Sequence, residues 1–124
     1  MSEKEEFILL FATHAGDNPE KAAIPFTMSC AALAMDTKAI VVLQGNGVYL
    51  GLKGYVDTML RGGGFPPVKK LLADFLELGG ELKVCAPCIK ERNIDVSELI
   101  DGATTIAGGE AVVKSMEAKA VFTY

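Results

Sequence analysis

Short, continuously apolar segments alternate along this chain with longer stretches in which apolar residues recur at helical spacing. Residues 7–12 and 39–43 are uninterrupted apolar runs, a pattern typical of strands that are buried on both faces of a sheet. Further strands are predicted at residues 81–85, 104–107 and 119–123. Helices are predicted at residues 20–35 and 68–78, and from the Gly108-Gly109 loop through residue 117, with shorter ones near residues 52–59 and 89–93.

This order of elements predicts an α/β fold, in which strands and helices alternate to form βα units. We expect a mainly parallel sheet of about five strands with helices on both faces. The 124 residues contain no internal repeat and no segment that resembles an interdomain linker. Residues 1–124 are therefore expected to form a single domain, a size that suffices for one hydrophobic core.

The predicted helix at residues 20–35 has a clear start signal and an unusual distribution of apolar residues. Asp17 or Asn18 can cap it, with Pro19 at its first position. Its apolar residues nearly encircle the axis, which predicts a largely buried helix, with another subunit as one candidate for the contact. The glycine-rich segment 62–67 is predicted to be a loop and not a phosphate-binding loop, because no Lys-Ser/Thr pair follows the glycines.

Charge and composition narrow the possible functions. The net charge of -4 and a pI near 5.0 argue against nucleic-acid binding, for which a basic surface is expected. No segment has the roughly 20 consecutive apolar residues that a membrane-spanning helix needs. Three cysteines and a polar N-terminal stretch, residues 1–6, argue against a secreted disulfide-bonded protein. We therefore expect a cytoplasmic protein whose closely spaced thiols are free.

Two of these cysteines lie in the segment Cys85-Ala-Pro-Cys88, where a predicted strand leads into a predicted helix. The reactive form of cysteine is the thiolate, and the N-terminus of a helix favours negative charge. Pro87 suits the first turn of a helix, and the nearby Lys90 and Arg92 would further lower a thiol pKa. Cys85 is therefore the best candidate for a catalytic residue, and its thiol is expected to have a lowered pKa.

Other candidate residues follow the predicted strands, and the carboxyl ends of parallel strands meet at one edge of a sheet. The candidates for binding or assisting are His14, Asn46, Gly47, Gly108 and Gly109. Each also has an ordinary explanation. His14 could be an exposed loop histidine, Asn46 and Gly47 could belong to a simple Gly-Asn-Gly turn, and Gly108 and Gly109 could be a helix start that would bind any anion. No cofactor is predicted.

A metal site is not expected either, because Cys85 and Cys88 with the distant Cys30 and His14 make a poor zinc ligand set. Cys30 lies in the middle of the most apolar helix and is predicted to belong to the core.

The order of these motifs resembles the DsrE/DsrF-like family of small sulfur-relay proteins, whose members are also described as predicted peroxiredoxins. The matching segments span nearly the whole chain and comprise the first strand with Gly16-Asp17-Asn18-Pro19, residues 41–48, residues 79–85 leading to 90–94, residues 98–102, and Gly108-Gly109. The resemblance implies a three-layer α/β/α sandwich that forms a homotrimer or homohexamer. It also implies a cysteine that carries sulfur as a persulfide, and the matching position is Cys85.

Three functions remain open from the sequence. The leading hypothesis is a sulfur carrier or sulfurtransferase-like protein, which exchanges persulfide sulfur at Cys85 with donor and acceptor proteins or small persulfides. The alternatives are a two-cysteine thiol peroxidase or disulfide reductase that uses Cys85 and Cys88, and a non-catalytic oligomeric binding module. Cys88 either resolves the persulfide, serves as the second thiol of a reductase pair, or packs on the helix.

Overall fold

A five-stranded parallel sheet forms the centre of the computed structural model, which describes residues 5–124. The first four residues, part of the polar stretch that argued against a secreted disulfide-bonded protein, lie outside this range. The strands are β1 (Phe7–Ala12), β2 (Lys38–Leu43), β3 (Glu81–Cys85), β4 (Ala103–Ile106) and β5 (Ala120–Thr123). Their spatial order is β4-β3-β2-β1-β5, and every neighbouring pair is parallel.

Four α-helices connect the strands: α1 (Pro19–Ala34), α2 (Val68–Glu77), α3 (Ala86–Glu91) and α4 (Gly108–Glu117). The side chains of β1 alternate between two separate cores. Leu10 lies in the larger core, which includes residues of α1, α2 and α3, whereas Leu9 lies in the smaller core, which includes Ala111 of α4. Helices therefore cover both faces, and the prediction of an α/β/α sandwich with a parallel sheet of five strands is confirmed.

Helix α1 begins as predicted, but it is buried on one side only. Asn18 is its N-cap, and the Asn18 side-chain oxygen accepts a hydrogen bond from the Lys21 amide at 3.1 Å. Phe26 is fully buried, whereas Met28 and Met35 are 41% and 79% exposed. The prediction of a largely buried helix is therefore wrong for the single chain, because α1 packs only on one face of the sheet and against α2.

The short helix predicted near residues 52–59 is present only as the 3₁₀ turn Val56–Thr58. A second 3₁₀ turn spans Gly45–Gly51, and an isolated antiparallel bridge from Leu52 to Leu99 lies between the two turns. The Ile100 amide donates a hydrogen bond to the Gly51 carbonyl at 2.8 Å, and the Lys53 amide donates one to the Glu98 carbonyl at 2.9 Å. These partners draw the backbone into extended pairing, which replaces helical hydrogen bonds that two glycines would already have weakened.

Across residues 5–124, none of the helices combines the length and apolar character that crossing a bilayer requires.

Candidate functional site

The two cysteines lie where the sequence predicts them, at the carboxyl end of β3 and in the first turn of the helix that follows. Cys85 is the last residue of β3 and the N-cap of α3, and Cys88 lies within that helix. Both thiols are free and half-buried. Because β3 lies next to β2 in the sheet, the loop after β2 borders the thiols.

A backbone amide that the sequence analysis did not single out contacts the second thiol. The Gly45 N–H donates a hydrogen bond to the Cys88 sulfur at 3.4 Å. Gly45 is the second residue after β2 and has a φ of +54°, in the left-handed region that glycine adopts without strain. Its place in the Gln44-Gly45-Asn46-Gly47 turn after a buried strand is the signal that would have identified it.

The environment of Cys85 raises the pKa of its thiol, contrary to the prediction of a lowered value. Burial is the main cause, and interaction with the Cys88 thiol raises this pKa further, by side-chain hydrogen bonding and by charge repulsion. The Cys88 backbone amide and the Arg92 guanidinium lower it, but they do not compensate. The prediction relied on a helix N-terminus, and the Cys88 amide in the first turn of α3 does lower this pKa, but α3 has only six residues and burial outweighs its effect.

Arg92 joins the cysteine helix to the turn after β2. Its Nη1 donates to the Cys88 carbonyl at 3.2 Å, and its Nη2 donates to the Asn46 side-chain oxygen at 3.3 Å. The guanidinium also lies over the Tyr49 ring, 5.9 Å from the ring centroid. Arg92 follows Cys88 by four residues, so helical spacing is the signal for its reach back to that carbonyl.

Gly47 has a structural explanation and little capacity to bind a ligand. Its N–H donates to the Gln44 carbonyl at 2.9 Å, so this amide is not free for an anion. A Cβ at Gly47 would lie 2.0 Å from the Ala12 carbonyl oxygen. The residue is therefore a glycine because the turn after β2 passes directly against the end of β1.

The remaining candidates, His14, Gly108 and Gly109, have separate surroundings. His14 contacts Asp17, with 2.8 Å between its Nδ1 and the carboxylate, and the Asp17 pKa is lowered chiefly by the Ala15 amide and also by His14. Gly108 and Gly109 open α4 and are exposed, with open space around them. Within residues 5–124, no hydrogen bond or ion pair connects these three residues to the thiols, whereas Asn46 reaches Cys88 through Arg92.

Cys30 contributes to the core, as predicted, and lies apart from this pair. Its thiol donates to the Leu71 carbonyl of α2 at 3.7 Å, and burial raises its pKa. In the part of the chain from residue 5 onward, no three His, Cys, Asp or Glu side chains are grouped so that they could hold a metal ion.

Two proteins of similar sequence match most of the chain. The chain is 29% identical over 112 residues to the uncharacterized protein MJ0989 of Methanocaldococcus jannaschii, and this match covers 90% of this chain and 94% of that protein. It is 28% identical over 97 residues to the uncharacterized protein MK0008 of Methanopyrus kandleri, covering 78% of this chain and 76% of that protein.

Solved structures share the architecture at lower sequence identity. The YchN protein from E. coli superposes with a TM-score of 0.79 at 21% identity, covering 96% of this chain and 99% of that one. A protein of unknown function, MTH1491 from Methanobacterium thermoautotrophicum, superposes with a TM-score of 0.68 at 13% identity, covering 98% and 100%. The DsrE/DsrF-like family model matches residues 7–124, so the chain belongs to the DsrE/DsrF-like family.

Proposed function

We propose that the protein is a sulfur carrier with sulfurtransferase-like chemistry, which accepts persulfide sulfur at Cys85 and passes it on. The observation that carries the proposal is the position of Cys85, half-buried at the carboxyl end of a central strand and beside a second free thiol. Membership of a family that is linked to sulfur relay supports this role. Fold and family alone do not establish an activity, so the thiol chemistry must be tested directly.

Sulfur transfer requires the thiolate of Cys85, whose pKa is raised by burial. We infer that the Cys85 proton is lost to solvent and that the positive charge of Arg92, which lowers this pKa, stabilises the resulting thiolate. The Cys85 thiolate then attacks the outer sulfur of a donor persulfide, and the donor leaves as its thiolate. The new bond joins Cys85 to one sulfur atom, and no external oxidant or reductant is needed.

The sulfur atom on Cys85 can leave by two routes, which differ in whether Cys88 takes part. In simple transfer, an acceptor thiolate attacks the outer sulfur and regenerates Cys85. In reductive release, the Cys88 thiolate attacks the inner sulfur, hydrosulfide leaves, and a Cys85–Cys88 disulfide remains. A reductant of the dithiol class must then restore the pair.

The partners in this proposal are donor and acceptor proteins or small persulfides, and the expected assembly is a homotrimer or homohexamer. Exposed Met28 on α1 and Met35 directly after that helix offer apolar surface for such an assembly. A reducing cytoplasm would keep the three cysteines free, which is the state that the proposed exchange requires.

The interaction between the two thiols also favours a second candidate, a two-cysteine thiol peroxidase or disulfide reductase. This candidate requires both cysteines for turnover and a reversible disulfide between them. Peroxide consumption that is lost in Cys88→Ser would support it over simple sulfur transfer.

Intact-mass measurement after incubation with a sulfur donor tests the main proposal. We expect the wild type to gain the mass of one sulfur atom when treated with cysteine and a cysteine desulfurase, or with polysulfide. Cys85→Ser should lose this adduct, whereas Cys88→Ser and the matched control Cys30→Ser should keep it. A wild type that stays unmodified with every donor would refute sulfur transfer, and an adduct that persists in Cys85→Ser would refute the assignment to Cys85.

A further inference from the structure

Arg92 carries a charge that no acidic side chain neutralises within residues 5–124. Its hydrogen-bond acceptors are the Cys88 carbonyl and the Asn46 amide oxygen, both of which are neutral. A guanidinium has five N–H donors, and these bonds use two of them. Arg92 therefore retains both its positive charge and hydrogen-bonding capacity beside the two thiols.

Two stacked tyrosines hold this guanidinium in place. Arg92 lies over Tyr49, and the Tyr49 and Tyr55 rings stack with their centroids 5.6 Å apart. The Tyr55 hydroxyl accepts a hydrogen bond from the Gly16 amide at 2.9 Å. This series of contacts anchors Arg92 to the loop after β1, so its charge is positioned before any ligand arrives.

The position of Arg92 differs from that of its neighbour Lys90 on the same helix. Lys90 is exposed, and its charge is not among the causes that shift the Cys85 pKa, whereas Arg92 is half-buried and acts on that thiol. The guanidinium is half-buried and bonds to the carbonyl of Cys88 itself, so an anion that it binds lies close to the thiol pair. A half-buried charge is more accessible to a small ligand than to the broad surface of a protein, so this position favours a small anion.

We propose that Arg92 is a positioning residue that selects a small anionic sulfur donor, of the inorganic polysulfide class, for the Cys85–Cys88 pair. This inference rests on the proposed function. Arg92 binds the polysulfide anion, and the Cys85 thiolate attacks a terminal sulfur of that chain. One sulfur–sulfur bond breaks, the shortened polysulfide leaves with the electron pair, and Cys85 retains one sulfur as a persulfide anion.

Competitive alkylation measures the charge selection without any sulfur transfer. Iodoacetate and iodoacetamide share a leaving group but differ in charge, so the ratio of their rates at each cysteine reports the local potential. We expect this ratio to fall about fivefold in Arg92→Gln, as expected for the loss of a unit charge several ångströms away in a half-exposed site. High salt should reduce the wild-type ratio toward the variant value.

Three matched variants separate charge from structure. Arg92→Lys, which keeps the charge, and Lys90→Gln, which removes an exposed charge from the same helix, should both retain most of the wild-type ratio. Tyr49→Leu should lower the ratio because the guanidinium loses its support, whereas Tyr49→Phe keeps the ring and should retain it. Equal ratios in the wild type and folded Arg92→Gln would overturn the proposal, as would an equal fall in Lys90→Gln.

A second measurement separates this inference from the proposed function. Polysulfide should load sulfur onto Cys85 several-fold more slowly in Arg92→Gln than in the wild type. Unchanged polysulfide loading in Arg92→Gln would overturn the selection of a small anion and leave sulfur transfer intact. The same conclusion would follow if this variant were loaded more slowly only by a persulfidated protein donor. A wild type that is never loaded, yet shows the Arg92-dependent alkylation ratio, would refute the proposed function and not the charge selection.

Discussion

Gly47→Ala is expected to destabilise the protein strongly, because the turn after β2 passes against the end of β1. The new methyl carbon would lie 2.0 Å from the Ala12 carbonyl oxygen and 2.8 Å from its carbonyl carbon. Close carbon–oxygen contacts in proteins begin near 3.3 Å, so the two segments must separate by about 1.3 Å. That movement strains the Gln44 N–H to Ala12 carbonyl hydrogen bond, which is 3.0 Å long.

The expected cost combines overpacking with the weakened hydrogen bond. Overpacking costs about 1–3 kcal/mol, and one such hydrogen bond contributes about 1 kcal/mol, so we expect a loss of about 2–4 kcal/mol. The melting temperature should then fall by about 10 °C for a chain of this size. Urea denaturation and thermal melting followed by circular dichroism measure both quantities.

Gly64→Ala is the matched control, since no atom lies within 4 Å of a methyl group added there and its φ is not positive. It should change the free energy of unfolding by less than about 0.5 kcal/mol. The reasoning would be refuted if Gly47→Ala were as stable as this control. Such a result would also return Gly47 to the list of candidate ligand-binding residues.

Three further predictions concern the thiol pair, the core and a surface carboxylate. Cys88→Ala should lower the Cys85 pKa, because it removes the thiol interactions that raise it, and the pH dependence of iodoacetamide alkylation measures this change. Phe26→Ala should cost about 3–5 kcal/mol of unfolding free energy in urea denaturation, since the ring is fully buried and packs edge-on against Phe75. The Asp17 pKa is lowered, so the stabilisation that this carboxylate provides is present above the ordinary carboxyl pKa of 3.8 and is lost as pH falls through the lower pKa of the folded state. Asp17→Asn should therefore flatten the loss of stability below pH 3.8 in urea denaturation at several pH values.

Each of these predictions has a contrary outcome. A Cys85 alkylation midpoint that stays or rises in Cys88→Ala would show that the second thiol does not suppress the first. A Phe26→Ala variant that loses less than about 1 kcal/mol would mean that the surrounding core collapses into the space. Wild type and Asp17→Asn with parallel pH curves would show that the Asp17 hydrogen bonds persist in the unfolded state.

Most of the secondary structure could be predicted from the sequence because the buried strands and amphipathic helices carry strong periodic signals. The start of α1 at Asn18 and Pro19 followed from capping chemistry, which depends only on neighbouring residues. The helix predicted at residues 52–59 shortens to one 3₁₀ turn because Leu52 and Gly51 pair with residues 47 or more positions later. Local propensity contains no information about such a partner.

The candidate site could likewise be predicted from the sequence only in part. The placement of Cys85 and Cys88 at a strand-to-helix junction could be predicted, because both positions follow from one local pattern. The direction of the Cys85 pKa shift could not, because it depends on how deeply the thiol is buried and on what surrounds it. The Gly45 amide contacts the Cys88 thiol only because β2 pairs with β3.

The sequence by itself determined the α/β fold, the family and the position of the Cys85-Ala-Pro-Cys88 segment, because these depend on the order and periodicity of residues along the chain. The tertiary structure decided the strand order, the raised pKa of Cys85, the structural role of Gly47 and the position of Arg92. These properties depend on contacts between residues that are distant in sequence, and on the burial that those contacts produce.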